Sequence, residues 1–246
     1  MSADIMAVMW KEWRELFATR GSFWRNGPWN LIMALGVFGI FLPLQFSDMW
    51  LTSISTVFWV VFSTSFWTVG YIADSFAGER ERHTLETLLA SRLPDAAILL
   101  GKLGAVVGYV WAQVLGSLLL GAITVNLVRW DGHFQFYRLS VAVGAIGLGL
   151  LGAGLMAGLG ILLSLHTPTA RQAQQRLLIP ITLILLLPSL GTLILPADQQ
   201  QQLFRVLAEA DITSVVLVVL GVLLVVDLGL IALALARFQR SRLITD

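Results

Sequence analysis

"WVVFSTSFWTVGYIADSFAGERERHTLETLL", residues Trp59 to Leu89, begins as an oily run and ends dense with charge. Trp59 to Ala73 contains no Asp, Glu, Lys or Arg, whereas Phe76 to Asp95 holds Glu79, Arg80, Glu81, Arg82, His83, Glu86, Arg92 and Asp95. The uncharged run reaches back to Met49, longer than the about 20 residues a helix needs to cross a hydrocarbon core about 30 Å thick. It reads as a membrane span that emerges directly into a charged loop.

The rest of the chain has the same character. Its 246 residues are 57% hydrophobic and 13% charged, with mean hydropathy +0.81, outside the profile of a soluble globular domain. Six runs are predicted as spans: Trp29 to Ser47, Met49 to Ala73, Leu103 to Val128, Leu139 to Leu165, Leu177 to Ala197 and Ile212 to Ala236. They are continuously apolar rather than alternating, which selects helices over a β-barrel. The expected fold is an all-α integral membrane protein. An amphipathic interfacial helix fills residues 1–27, a six-helix domain residues 28–236 with a cytoplasmic loop at 74–102, and a basic tail residues 237–246.

Thirteen of the 16 Lys and Arg residues lie before the first span, in the second-to-third and fourth-to-fifth connections, or in the tail. Arg129, Arg138 and Arg205 fall in the alternate connections, so the positive-inside rule predicts both termini in the cytoplasm. Net charge +1 offers no basic surface for nucleic acid, and zero cysteines exclude disulfides and thiolate chemistry. Lys11, Glu12, Arg14 and Glu15 interrupt any signal-like apolar stretch, so the start is not read as a cleavable leader. His83, His133 and His166 fall in connections without metal-ligand spacing, and no metal site is expected.

In "DIMAVMWKEWRELFATR" the apolar residues Ile5, Met6, Met9, Trp10, Trp13, Leu16 and Phe17 recur at helical spacing, with Lys11, Glu12, Arg14 and Glu15 on the other face. That pattern suits a helix lying in the headgroup boundary, and "RNGPW" supplies the turn into the first span. The charged loop carries a second helical signal. Glu79 to Ser91 lacks Gly and Pro, Leu85, Leu88 and Leu89 form an apolar edge, and Pro94 ends the run with Asp95 placed to cap the next helix. Surface ion pairs that merely solvate the end of the span explain the charge but not the leucine edge; a docking element explains both.

"GERERHTLETLLASRLPDAAILLGKL", Gly78 to Leu103, resembles the cytoplasmic loop after the second span in ATP-binding-cassette (ABC) transporter permeases of the type-2 exporter family. The likeness lies in the mixed charges, then "TLE.LL", a proline and "ILLGK", and in outline it extends to the whole chain. It implies a coupling helix seated in a groove of a separate ATPase subunit, with Glu79, Arg80, Glu81, Arg82, Thr84, Leu85, Glu86, Leu88 and Leu89 as contact residues. It further implies two permease chains, identical or not, with two ATPase chains in the cytoplasmic (inner) membrane. Here "ASRL" separates the leucine pair from Pro94, whereas proline commonly follows more closely in the family, so the helix end is displaced. No Gly-x-x-x-x-Gly-Lys-Ser/Thr occurs, since Leu103 follows Gly101 and Lys102. The chain is therefore expected to be a transport subunit that binds no cofactor, with ATP and Mg on its partner.

Within the spans, Ser55, Thr56, Trp59, Ser63, Phe66 and Trp67 make the second run both hydroxylated and aromatic, suiting an amphipathic cargo. The hydroxyls serve equally well to bond the backbone of their own helix or a neighbour. Pro180, Pro188 and Pro196 predict a kinked fifth span, with Pro188 a candidate for the translocation path. Gly104 with Gly108 and Gly154 with Gly158 form two GxxxG pairs, which predict that the third and fourth spans satisfy one another within the chain, with a subunit interface as the alternative. Asp227 is the sole formal charge inside a span. A protonated carboxyl bonded to a neighbouring helix is one reading of it, and an ion-coupled secondary transporter is the alternative for the whole chain, although no inverted repeat is evident.

Overall fold

The computed structural model describes residues 1–18, 27–82, 84, 90–130, 132–164, 167, 169–179, 181–182, 196, 199 and 212–238. These residues form helices and their connections, with no strand among them. In chain order they are α1 (Ser2–Ala18), α2 (Gly27–Phe46), the short α3 (Asp48–Thr52), α4 (Ile54–Glu81), α5 (Asp95–Val128), α6 (Leu139–Ser164), α7 (residues 170–179) and α8 (Ile212–Arg237). Five of them, α2, α4, α5, α6 and α8, are long and apolar enough to cross a membrane. Most of the run predicted as a fifth span, with Pro180 and Pro188, lies outside the described residues.

Irregularities in α2 follow from its proline. Pro43 has no N–H for the carbonyl of Gly39, four residues earlier, and its ring crowds that oxygen. The helix widens into a π-turn over Leu35–Phe41, and the one proton of the Thr124 hydroxyl of α5 is shared between the Gly39 carbonyl at 2.9 Å and the Leu120 carbonyl of its own helix at 2.8 Å.

Two expected boundaries change. The second span does not stop at Ala73: α4 continues through a wide turn at Asp74–Gly78 to Glu81. Glu79, Arg80 and Glu81 are therefore its last turn rather than the start of a separate helix, and at the other end of the predicted coupling helix residues 90–93 are turn and bends. Nor does Asp95 cap the next helix; Pro94 holds the capping position with ψ 144°, and Asp95 lies in the first turn of α5. The helix then runs unbroken to Val128, so Lys102 is an interior residue of α5.

Glycines set the packing, with partners other than those expected. A Cβ on Gly101, Gly104 or Gly108 of α5 would meet Val8, Met9 or Trp13 of α1. On α6, Gly147, Gly154 and Gly158 face Leu220, Asp227 and Leu230 of α8, Gly149 and Gly160 receive Val60 and Ile72 of α4, and Gly144 meets both Val57 of α4 and Val216 of α8. Both GxxxG pairs work within the chain, but they do not satisfy each other. One seats the N-terminal helix and the other the last helix.

Candidate functional site

Where α1, α4 and α5 meet, five charged side chains close on one another. Lys102 is fully buried, and its Nζ donates to Glu12 Oε1 at 2.8 Å and to the Ser75 carbonyl at 2.8 Å. It also lies 2.9 Å from Glu79 Oε2, an ion-pair contact rather than an aligned hydrogen bond, and 5.3 Å from the centroid of the Phe76 ring. Glu79 is buried too, and Lys11 Nζ donates to its Oε1 at 2.8 Å. Glu15 lies 3.2 Å from Lys11, and the Ser75 hydroxyl donates to Glu12 Oε2 at 3.2 Å.

Each residue reaches this junction for a local reason. Val8 and Glu12, one helical turn apart, lie on the face of α1 that the small side of α5 admits, so Glu12 is carried inward from the face read as polar. Ser75 sits in the wide turn of α4, where the hydrogen-bond ladder is interrupted and a carbonyl is available to Lys102. Trp13 fixes the register of α1, its Nε1 donating to the Ala105 carbonyl at 2.9 Å. Burial by itself would lower the pKa of Lys11, but the carboxylates of Glu79, Glu12 and Glu15 outweigh it and hold the ammonium above its ordinary range. Oxygens of Glu12, Glu15 and Glu79 lie within 4.8 Å of one another, as in a cation site. The Lys11 and Lys102 ammonium groups already supply the positive charge there.

Arg80, Glu81 and Arg82 are engaged inside the chain as well. Arg80 Nη1 donates to the Thr167 carbonyl at 3.2 Å, Glu81 Oε2 accepts from the Ala170 amide at the start of α7 at 3.4 Å, and Arg82 pairs with Asp74 at 3.3 Å. The exposed Thr84 folds back through its amide onto the Glu79 carbonyl at 2.9 Å. Of the residues singled out as ATPase contacts, Glu79 is turned inward, Arg80 and Arg82 are half-buried, and Glu81 and Thr84 are exposed. Leu85, Glu86, Leu88 and Leu89 lie outside the described residues. Sequence reasoning missed Glu12 and Lys102, because one looked like interfacial charge and the other like a loop cation.

The candidates within the spans divide. Thr64, Ser65 and Thr68 donate to the carbonyls of Val60, Val61 and Thr64 in their own helix, which accounts for part of the hydroxyl content of α4. Thr56, Ser63 and Trp67 are buried within the single chain, whereas Ser55, Trp59 and Phe66 are partly exposed. Phe58, Trp59, Phe62 and Phe66 form a continuous ladder, with successive ring centroids 5.6, 5.9 and 6.3 Å apart. Pro188 lies outside the described residues. Asp227 is buried against α6, where its Oδ2 would lie 2.6 Å from a Cβ on Gly154 and its Oδ1 has no hydrogen-bond partner among the described residues.

No protein-family model matches the chain, and comparison with curated proteins gives no match.

Proposed function

We propose that this chain is the permease subunit of an ATP-driven ABC exporter of the type-2 family, moving a hydrophobic or amphipathic cargo with energy from a separate ATPase. Its arrangement in this reading has six spans, both termini in the cytoplasm, and a second permease chain with two ATPase chains in the inner membrane. The observation that carries the proposal is the unbroken helix from Ile54 to Glu81, whose charged end is clamped to α1, α5 and the start of α7. A push on the loop at residues 83–93 is then delivered to a span directly and to α1 and α5 through buried ion pairs. That is the mechanical requirement of a subunit driven by closure of a cytoplasmic partner. The charge at Glu79 to Arg82 serves this clamp, and docking on the ATPase is assigned to the leucine edge at Leu85, Leu88 and Leu89.

The test uses insertion, capture of a P-loop ATPase and ATP-dependent transport on the same preparations. Leu85→Ala with Leu88→Ala is expected to insert normally and lose the partner. Lys102→Met is expected to keep the partner and lose transport, and wild-type behaviour of both variants would sink the proposal. Topology is checked separately in this cysteine-free chain. A cysteine at Gln199 should be labelled by an impermeant thiol reagent from outside intact cells, and one at Gln174 should not.

Asp227 favours a second reading, an ion-coupled carrier, because its Oδ1 lacks a partner among the described residues. Asp227→Asn separates the two: transport persists in the exporter and is abolished in the carrier.

A further inference from the structure

On the side of α1 away from the ionic junction, Trp10, Trp13, Arg14 and Phe17 line an open groove of about 440 Å³. Two of its walls are anchored to the bundle. Trp13 is held by its hydrogen bond to the Ala105 carbonyl, and the Phe17 ring meets Tyr109 edge-to-face with centroids 5.7 Å apart. Trp10 is 61% exposed and supplies the free wall, while Met6, 63% exposed, continues the apolar face one turn earlier.

Arg14 is the odd member. Lys11, the neighbouring cation on α1, is committed to Glu79, Glu12 and Glu15, and the N-terminal ammonium is paired with Asp4. Arg14 is exposed and makes no hydrogen bond or ion pair among the described residues. A guanidinium presents a planar fork that matches phosphate oxygens two at a time. Placed between indole and phenyl walls on an amphipathic helix, it offers one charge to a phosphate and apolar surface to the glycerol and upper acyl carbons attached to it.

We propose that this groove binds the phosphate headgroup of an anionic phospholipid, with Arg14 as the phosphate ligand and Trp10, Trp13 and Phe17 holding the adjoining lipid. The charge complementarity and the continuity with Met6 choose a lipid over a second copy of the chain, which would have to bring a carboxylate into an aromatic groove. Nothing in the proposal depends on what powers transport.

The experiment reconstitutes the full chain in nanodiscs of phosphatidylcholine with a minor fraction of phosphatidylglycerol and measures retained lipid by native mass spectrometry. Wild type should retain phosphatidylglycerol preferentially, and Arg14→Gln should lose about five-fold of that preference, the value of one basic residue at an anionic surface. Arg14→Lys should keep most of it, and Trp10→Ala should weaken retention of both lipids. Because Arg14 is exposed and unpaired, Arg14→Gln should unfold at the wild-type temperature. The proposal is overturned by equal retention of the two lipids, by an unchanged preference in Arg14→Gln, or by loss of the preference in excess inorganic phosphate, which would mark a free-anion site. A dimer that disappears with Trp10→Ala while lipid retention is unchanged would assign the groove to a second copy instead.

Discussion

Lys102 and Asp227 are both charged residues placed inside a helical bundle, and the chain deals with them in opposite ways. Lys102 is surrounded: two carboxylates, a carbonyl and an aromatic face lie within reach of one ammonium. Asp227 is given room instead, a seat on Gly154 where any larger residue would strike it. The cost of taking a charge out of water is met at Lys102 by partners drawn from two other helices, α1 and α4, so the charge ties three helices together. At Asp227 no such ties form among the described residues, and the carboxyl is the more replaceable of the two. A buried charge is therefore evidence of a joint only when its partners come from other elements.

The widest gap between the two sites should appear on removing the charge. Lys102→Met leaves Glu12 and Glu79 buried with only Lys11 to answer them, and a loss of about 3–5 kcal/mol is expected in thermal or denaturant unfolding of the purified protein. Part of it should return in the double variant Glu12→Gln with Lys102→Met; strict additivity of the two changes would break the idea of one shared network. Next in size is Gly154→Ala, where the new methyl meets Asp227 Oδ2 and the overpacked contact should cost about 1–3 kcal/mol. Combining it with Asp227→Ala should remove most of that cost, because the seat then has nothing to collide with.

Smaller still is Asp227→Asn, which keeps the shape and removes the burden of a buried charge. Stability within about 1 kcal/mol of wild type, or above it, is expected. A loss as large as that of Lys102→Met would show an unsuspected partner and erase the contrast. The smallest effect concerns pH. Lys11 is held above its ordinary range in the folded protein, so its contribution is fully present below the unfolded value and is lost only as pH rises through the folded one. Followed upward from neutrality, the gap in unfolding midpoint between wild type and Lys11→Met should stay constant and close only at strongly alkaline pH.

How much of this was legible in the sequence follows from the range of the forces involved. The long apolar runs and the helical spacing of Ile5, Met9, Trp13 and Leu16 are local signals, and α1, α2, α4, α5, α6 and α8 appear where those signals lie. The continuation of α4 past Asp74 was hidden because charge looked like the end of a span, although a helix can outlast the membrane it crosses. Lys11 and Glu12 find Ser75, Glu79 and Lys102 across 63 to 90 residues of chain, which no periodicity records. The glycine pairs announced close packing but could not name the neighbour, since a bare backbone accepts Trp13 or Leu230 alike.

The length of α5 gives the ionic junction a mechanical meaning. Its 34 residues rise about 51 Å, against a hydrocarbon core of about 30 Å, and Arg129 and Trp130 mark one surface directly after its end. The helix is thus about 20 Å longer than such a core, and Lys102 lies about 11 Å from its Asp95 end. No proline interrupts α5, so it is one continuous rod. The same rod carries Lys102 near one end and, 22 residues or about 33 Å further along, Thr124, whose hydroxyl reaches the Gly39 carbonyl of α2, so the ionic junction and the proline turn of the first span are joined through one continuous helix.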